Sequence, residues 1–442
     1  MRLRGLMQSH TPLRRILTGL GVLLAGLPGL LLAQGPPDFA VTGATIHSLQ
    51  PDAPVLQGGV IVVQGGKITC LGVLKPLEGA THPLQRKVCT VPAGVVVHGM
   101  PGMILIPGLI ESLGRLGQVE VDAEEASHDG IAARESNLAH VQAIDGVQVH
   151  ARAVEAARRG GVTTVVARPM GGALITGQSV AFRTMGDVVD DVLVRNPVAI
   201  HVTLGEEAKV DQPLVGARSG QVALLRTLLE RARRIADADA GKKPKEVQGK
   251  DSLQRLRDDP GLVALAQVLA HKLPLVVHAM RADDISAALR LREQFGFELV
   301  IAGGAEAHVV ADRLAAAKVP VLLGPVRQKP YDFSTARATV AAAAILHAAG
   351  VTVGLATAET HGARNLRWEA GFAVAAGLPW DVALAGVTRT VAEILHLGPG
   401  IGQLREGTLA DFAVYDGDPL GLQGHVRFVS AGGVADPAPV QR

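Results

Sequence analysis

From residue 103 onward, short apolar runs alternate with stretches whose apolar residues recur at helical spacing. The runs at 103–110, 163–167, 180–183, 198–204, 273–279, 297–302, 319–324 and 351–356 predict strands. Between them, residues 148–159 and 285–295 predict amphipathic helices, and 305–317 and 335–349 predict Ala-rich ones. Eight parallel strands with intervening helices make an α/β fold of the (β/α)8 TIM-barrel type. A doubly wound open sheet is the alternative. A Gly-rich phosphate loop after the first strand would favour it, and Leu113-Gly114-Arg115-Leu116-Gly117 is a poor match.

The flanking segments have a different pattern. Residues 39–46, 59–63 and 68–71 read as strands, with Gly65-Gly66-Lys67 as a turn. Beyond the last barrel strand, 365–376 and 379–395 read as helices, and β character returns at 401–404 and 407–415. The predicted layout is therefore a signal peptide at 1–33, a first β-sandwich part at 34–102, the barrel at 103–396 and a second sandwich part at 397–442. The two sandwich parts combine into one small domain. A Lys-rich interruption from Lys242 to Asp251 reads as a solvated surface insertion.

Hydrophobic residues make up 48% of the chain and the net charge is only +2, which gives no concentrated basic face for nucleic acid. Aromatics at 3% argue against stacking platforms for sugars or bases. The two cysteines, Cys70 and Cys89, either pair in an oxidising compartment or remain separate buried thiols. Arg2, Arg4, Arg14 and Arg15 precede an apolar run at 16–32 that Gly residues and Pro28 interrupt, and Ala33 offers a cleavage point. This is the layout of a secretory signal, so the expected location is outside the cytoplasm, in the periplasm. An uncleaved signal anchor is the alternative, and no other segment predicts a membrane span.

Several stretches carry a family resemblance. They are Gly65-Gly66-Lys67-Ile68, Ile106-Pro107-Gly108-Leu109-Ile110-Glu111, Gly160-Gly161-Val162-Thr163-Thr164-Val165, Leu204-Gly205-Glu206, Val276-Val277-His278-Ala279, Arg364-Asn365-Leu366-Arg367-Trp368-Glu369-Ala370-Gly371, Gly407-Thr408-Leu409-Ala410-Asp411-Phe412 and Asp416-Gly417-Asp418-Pro419. In this order they resemble the amidohydrolase superfamily, in particular its imidazolonepropionase-like branch, over nearly everything after the signal. The resemblance implies hydrolysis of non-peptide C–N bonds. It also implies a divalent metal, commonly zinc, held by His and Asp at strand ends, where it turns a bound water into a nucleophile.

The same resemblance exposes departures. The family's Asp-x-His-x-His falls on Glu111-Ser112-Leu113-Gly114-Arg115, so Leu113 and Arg115 take both histidine positions. The sixth-strand histidine falls near Gly303 and the eighth-strand aspartate near Ala358, with Glu359 as a neighbouring substitute. His278 matches the fifth-strand histidine, and His201 stands where some relatives carry a lysine. Leucine has no lone pair, and a guanidinium is a permanent cation. No metal cofactor is therefore expected, with zinc left only to a non-standard site.

His278 and Glu359 are the candidate catalytic residues, and Glu111, His201 and His361 are pocket candidates. Each has a structural alternative. His278 and His201 are either pocket groups or histidines retained by hydrogen bonding. Glu111 is either a ligand or base, or the partner of Arg115 or Arg168 in an ion pair. Glu306 and His308 read as exposed first-turn residues of a helix. Three functions follow: an inactive family member that binds a small molecule at the barrel mouth, a hydrolase in which His278 and Glu359 replace metal activation, or a structural envelope protein on a hydrolase scaffold.

Overall fold

The computed structural model describes residues 37–121, 123–130, 135–170, 173–209, 215–242 and 252–437. The signal-like segment at 1–33 and most of the Lys-rich insertion lie outside them. Strands β1 (Phe39–Ile46), β2 (Leu56–Gln64), β3 (Lys67–Val73), β4 (Val96–Gly99) and β5 (Ile104–Pro107) share one sheet with β16 (Phe412–Tyr415), β17 (Val426–Ala431) and β18 (Val434–Pro437). The sheet order is β18-β17-β16-β5-β1-β2-β3, with β4 beside β1. Segments before and after the barrel thus meet in one continuous sheet. Phe39, Ile61, Leu105, Phe412 and Phe428 form its buried apolar core. Gly65 and Gly66 both adopt positive φ, 54° and 77°, in the β2–β3 turn, a conformation that favours glycine. Cys70 and Cys89 form a disulfide across 19 residues.

The apolar run at 103–110 serves two sheets. Ile104–Pro107 pairs antiparallel with β16, and Leu109–Glu111 (β6) begins the barrel. Gly108 is the hinge between them. A Cβ there would sit 1.9 Å from Thr163 Oγ1, so only glycine permits this approach.

Barrel strands follow as β7 (Val162–Ala167), β8 (Ile175–Gln178), β9 (Val180–Arg183), β10 (Leu193–Arg195), β11 (Ile200–Thr203), β12 (Leu275–Ala279), β13 (Leu299–Gly303), β14 (Val321–Leu323) and β15 (Val353–Leu355). Their ladders run β10-β9-β7-β6 and β15-β14-β13-β12-β11-β8. From β11 to β15 all pairings are parallel. The third position differs from the all-parallel expectation, because β8 lies antiparallel to β11 and β9 antiparallel to β7. Ser179 links β8 to β9 and exchanges backbone hydrogen bonds with its neighbours: its N–H donates to Ala199 O, and Val198 N–H donates to Ser179 O. The two ladders meet there.

Alternation along each strand sorts side chains into two cores. Ile110, Val166, Ala181, Val276, Val300, Leu322 and Ala356 point inward and form one buried cluster with Leu113. Val165, Val277, Ile301, Val321 and Leu355 face the surrounding helices. Three helices are shorter than the sequence predicts, Arg152–Arg159, Ala311–Ala316 and Ala342–Ala348, whereas Ala282–Phe295 begins three residues before its predicted start. Alanine favours helix, but helix ends are set by tertiary packing. Among the described residues, no helix is long and apolar enough to cross a membrane.

Candidate functional site

The C-terminal ends of the barrel strands carry the candidate chemistry, as this fold requires. On β11, Ile200 and Val202 face outward, so His201 faces in; on β12, Val276 and His278 share the inward side. The register sets His201 beside Val276 and Thr203 beside His278. From these adjacent strands the two imidazoles meet, with His201 Nδ1 2.9 Å from His278 Nε2 and the rings stacked at 5.3 Å between centroids. One ring donates and the other accepts. His201 is 1% exposed, and its Nε2 has no hydrogen-bond partner among the described residues.

Arg168 completes this cluster. Val166 belongs to the inner core and Ala167 to the outer one, so the alternation turns Arg168 inward at the end of β7. It is 5% exposed, and its Nε donates to Leu113 O at 3.2 Å. Burial lowers its pKa to about 10, with opposing attraction from Glu207 and added repulsion from Arg115. Burial first, and then the Arg168 charge, hold both histidines well below the ordinary 6.5. The pair is therefore neutral at physiological pH.

Glu111 does something different from binding in the mouth. It is fully buried, and its Oε2 accepts from Thr357 N at 3.0 Å and Thr357 Oγ1 at 2.6 Å, while Oε1 accepts from Leu113 N at 3.1 Å. The carboxylate ties the first barrel strand to the loop after the last one. These hydrogen bonds take the place of the ion pair with Arg168 considered from sequence. Leu113, in a histidine position, packs into the inner apolar cluster.

Glu359 and His361 are exposed after β15, and Glu359 N–H donates to Thr357 Oγ1 at 3.2 Å. Glu306 is buried rather than exposed, and its Oε2 accepts from Ala282 N at 3.0 Å at the start of the Ala282–Phe295 helix. The acidic group does suit a helix N-terminus, but that of a neighbouring helix. Among the described residues, no group of three or more His, Cys, Asp or Glu is arranged to hold a metal ion. A groove of about 800 Å³ lies elsewhere, lined by residues such as Arg159, Arg364, Trp368 and Arg427, and none of the site residues lines it.

No protein-family model matches the chain. The amidohydrolase tasK of Hapsidospora irregularis is 27% identical over 376 residues, covering 76% of this chain. The chain spans about a third of that curated relative, 36% of its length. The crystal structure of an amidohydrolase from Thermotoga maritima superposes with a TM-score of 0.76 at 26% identity, over 90% of this chain and 99% of the other. The chain is an amidohydrolase homologue. A prolidase complexed with N-methylphosphonate-L-proline shares the fold at a TM-score of 0.52 and 15% identity, over 90% of this chain and 99% of that one.

Sequence reasoning placed His201 and His278 on the inner face of this amidohydrolase barrel but treated Arg168 only as a possible partner of Glu111, and missed Thr357. Arg168 was accessible in principle, because the Val166-Ala167-Arg168 alternation continues past the strand. Thr357 was not, because its role depends on a contact across 246 residues.

Proposed function

We propose that this amidohydrolase homologue is an exported member of the imidazolonepropionase-like branch that no longer performs metal-dependent C–N hydrolysis and binds a small molecule at its barrel mouth. The observation that carries this reading is the hydrogen bond between His201 and His278, formed beside a buried guanidinium. A catalytic zinc generally takes three protein ligands and a water. Here two imidazoles are engaged with each other, Leu113 fills a ligand position with hydrocarbon, and Arg168 makes the surroundings positive. These residues do not fit the group the fold family implies.

The signal-like layout of residues 1–33 and the Cys70–Cys89 disulfide both favour an oxidising, extracytoplasmic location. Binding is favoured over metal-free catalysis by His278 and Glu359, because His278 Nε2 is engaged by His201 and Glu359 is exposed on the rim. The test is metal analysis of protein produced without a histidine tag, together with C–N hydrolysis assays. Substoichiometric metal with no turnover is the expected result. Stoichiometric zinc, with hydrolysis abolished by a chelator, would overturn the proposal.

A further inference from the structure

We infer that the arginine-lined groove away from the histidine pair binds a phosphomonoester, held by Arg159, Arg364 and Arg427. His201 and His278 do not line this groove, so the inference stands apart from the reading of the barrel mouth.

Three segments build the groove. In the Arg152–Arg159 helix, Arg152, Glu155 and Arg159 recur at spacings of three and four and share one face. Arg364, Arg367 and Trp368 repeat that spacing where the turn His361–Asn365 runs into the helix Leu366–Ala375. Leu422 precedes β17 and Arg427 lies within it. Gly160 lets the first two segments touch, because a Cβ there would lie 2.5 Å from Arg364 O. The groove they enclose has a volume of about 800 Å³.

Its charges do not balance. Glu155 pairs with both Arg152, at 3.0 Å, and Arg159, at 2.7 Å. Asp416 accepts from Arg427 Nε at 2.7 Å. Arg367 is buried, and its Nη1 donates to Pro419 O at 3.1 Å and Gly421 O at 2.8 Å, so it braces the wall. Arg364 is exposed and has no carboxylate partner among the described residues. Against these five arginines stand three carboxylates, Glu155 in the lining and Asp416 and Asp418 in the neighbouring loop. The excess is two positive charges, which the chain's net charge of +2 does not localise. A concave wall of one sign focuses the field and gathers counter-ions.

The excess decides the ligand class. A guanidinium fork matches two oxygens of a phosphoryl group. A phosphomonoester carries about −1.5 to −2 charge at neutral pH, close to the excess, whereas a carboxylate or a sulfate ester carries a single charge. Leu422, 73% exposed, and Trp368 supply apolar surface for the group that the phosphate esterifies. The Trp368 indole N–H is buried without an acceptor among the described residues, which leaves a neutral donor in the same wall. The phosphoryl group belongs either to a soluble ester or to a lipid headgroup such as phosphatidate, and the experiment separates the two.

The test uses the full-length protein with its indoles labelled with nitrogen-15, since Trp368 and Trp380 are the only tryptophans. Phenyl phosphate, titrated at constant ionic strength, is expected to shift the Trp368 resonance saturably, with half-saturation below about 1 mM. Phenyl sulfate, of the same shape but one charge, should bind at least about tenfold more weakly, a difference of about 1.4 kcal/mol. Arg364→Ala has no ion pair to lose and should weaken phenyl phosphate binding by a similar factor. Arg290→Ala removes an equal charge from the exposed side of the Ala282–Phe295 helix and should leave binding unchanged. Equal binding of the two esters, unchanged affinity in Arg364→Ala, an equal loss in Arg290→Ala, or no saturation by about 10 mM overturns the assignment. Vesicles of phosphatidylcholine with added phosphatidate then identify the source. Their displacing phenyl phosphate upholds the site with a lipid headgroup as ligand, and their failing to displace it upholds the site with a soluble ester. Displacement by phosphatidylcholine vesicles alone overturns it. Zinc content and C–N hydrolysis, which test the barrel mouth, leave these outcomes unaffected.

Discussion

Replacing Glu111 perturbs the seam between the first and last barrel strands. Its carboxylate is fully buried and accepts three hydrogen bonds, two from Thr357 and one from Leu113. Glu111→Ala removes the acceptor and leaves these buried donors unpaired, each at about 1–3 kcal/mol. Relaxation and water entry recover part of that cost, so the expected loss is about 3–5 kcal/mol, near the top of the range for single substitutions. Glu111→Gln keeps the shape but points an amide N–H₂ toward donors, and should cost about 1–2 kcal/mol. Urea denaturation midpoints at a common slope measure both. The pH dependence supplies a sign. Burial raises the Glu111 pKa above its ordinary 4.5, against hydrogen bonds from Thr357 and Leu113 that lower it. The folded chain therefore holds this proton more tightly than the unfolded chain. Its contribution is fully present below pH 4.5 and is lost as pH rises through the folded value. The advantage of wild type over Glu111→Gln should be largest in acid and shrink toward neutrality. An advantage that grows with pH, or a cost below about 1 kcal/mol for Glu111→Ala, would refute this reasoning.

The buried histidine pair has the opposite sign. Both pKa values lie well below 6.5 in the folded chain, so the unfolded chain protonates first and stability falls as pH drops below 6.5. The double variant His201→Gln, His278→Gln should lose less stability than wild type between about pH 7 and pH 5, as read from urea midpoints. Arg183 and Asp411, 11% and 12% exposed, join the barrel to the small sheet at 3.0 Å. Asp411→Asn should cost about 3–5 kcal/mol, and pairing it with Arg183→Met should recover part of that loss in a double-mutant cycle. Cys70→Ser with Cys89→Ser opens a link across 19 residues and should cost about 3 kcal/mol in thermal or urea unfolding, with no change in ligand binding at the mouth.

Much of the architecture was legible because periodicity carries it. The alternation of apolar runs and helical stretches located barrel strands such as Leu275–Ala279 and Leu299–Gly303 within a few residues. Strand direction is not encoded in that pattern, so the antiparallel third position formed by β8 and β9 was invisible. The continuous apolar run around Ile104 and Ile110 looked like one strand, and only the close approach of Gly108 to Thr163 divides it between two sheets. For the site, inward-facing alternation exposed His201 and His278. The same rule applied one step past β7 would have found Arg168. Glu111 was singled out as a ligand, base or ion-pair partner, whereas its hydrogen bonds to Thr357 are a tertiary event that local spacing cannot reveal. Glu359 and His361 sat on the expected loop, but loop position alone does not fix where a side chain points.

The most direct measurement is the metal content of untagged protein purified without chelator after growth with supplemental zinc, read by inductively coupled plasma mass spectrometry. With His201 and His278 bonded to each other beside Arg168, zinc is expected well below one ion per chain, and added zinc should produce no chelator-sensitive C–N hydrolysis. One tightly retained zinc per chain, accompanied by hydrolysis that a chelator abolishes, would contradict the account.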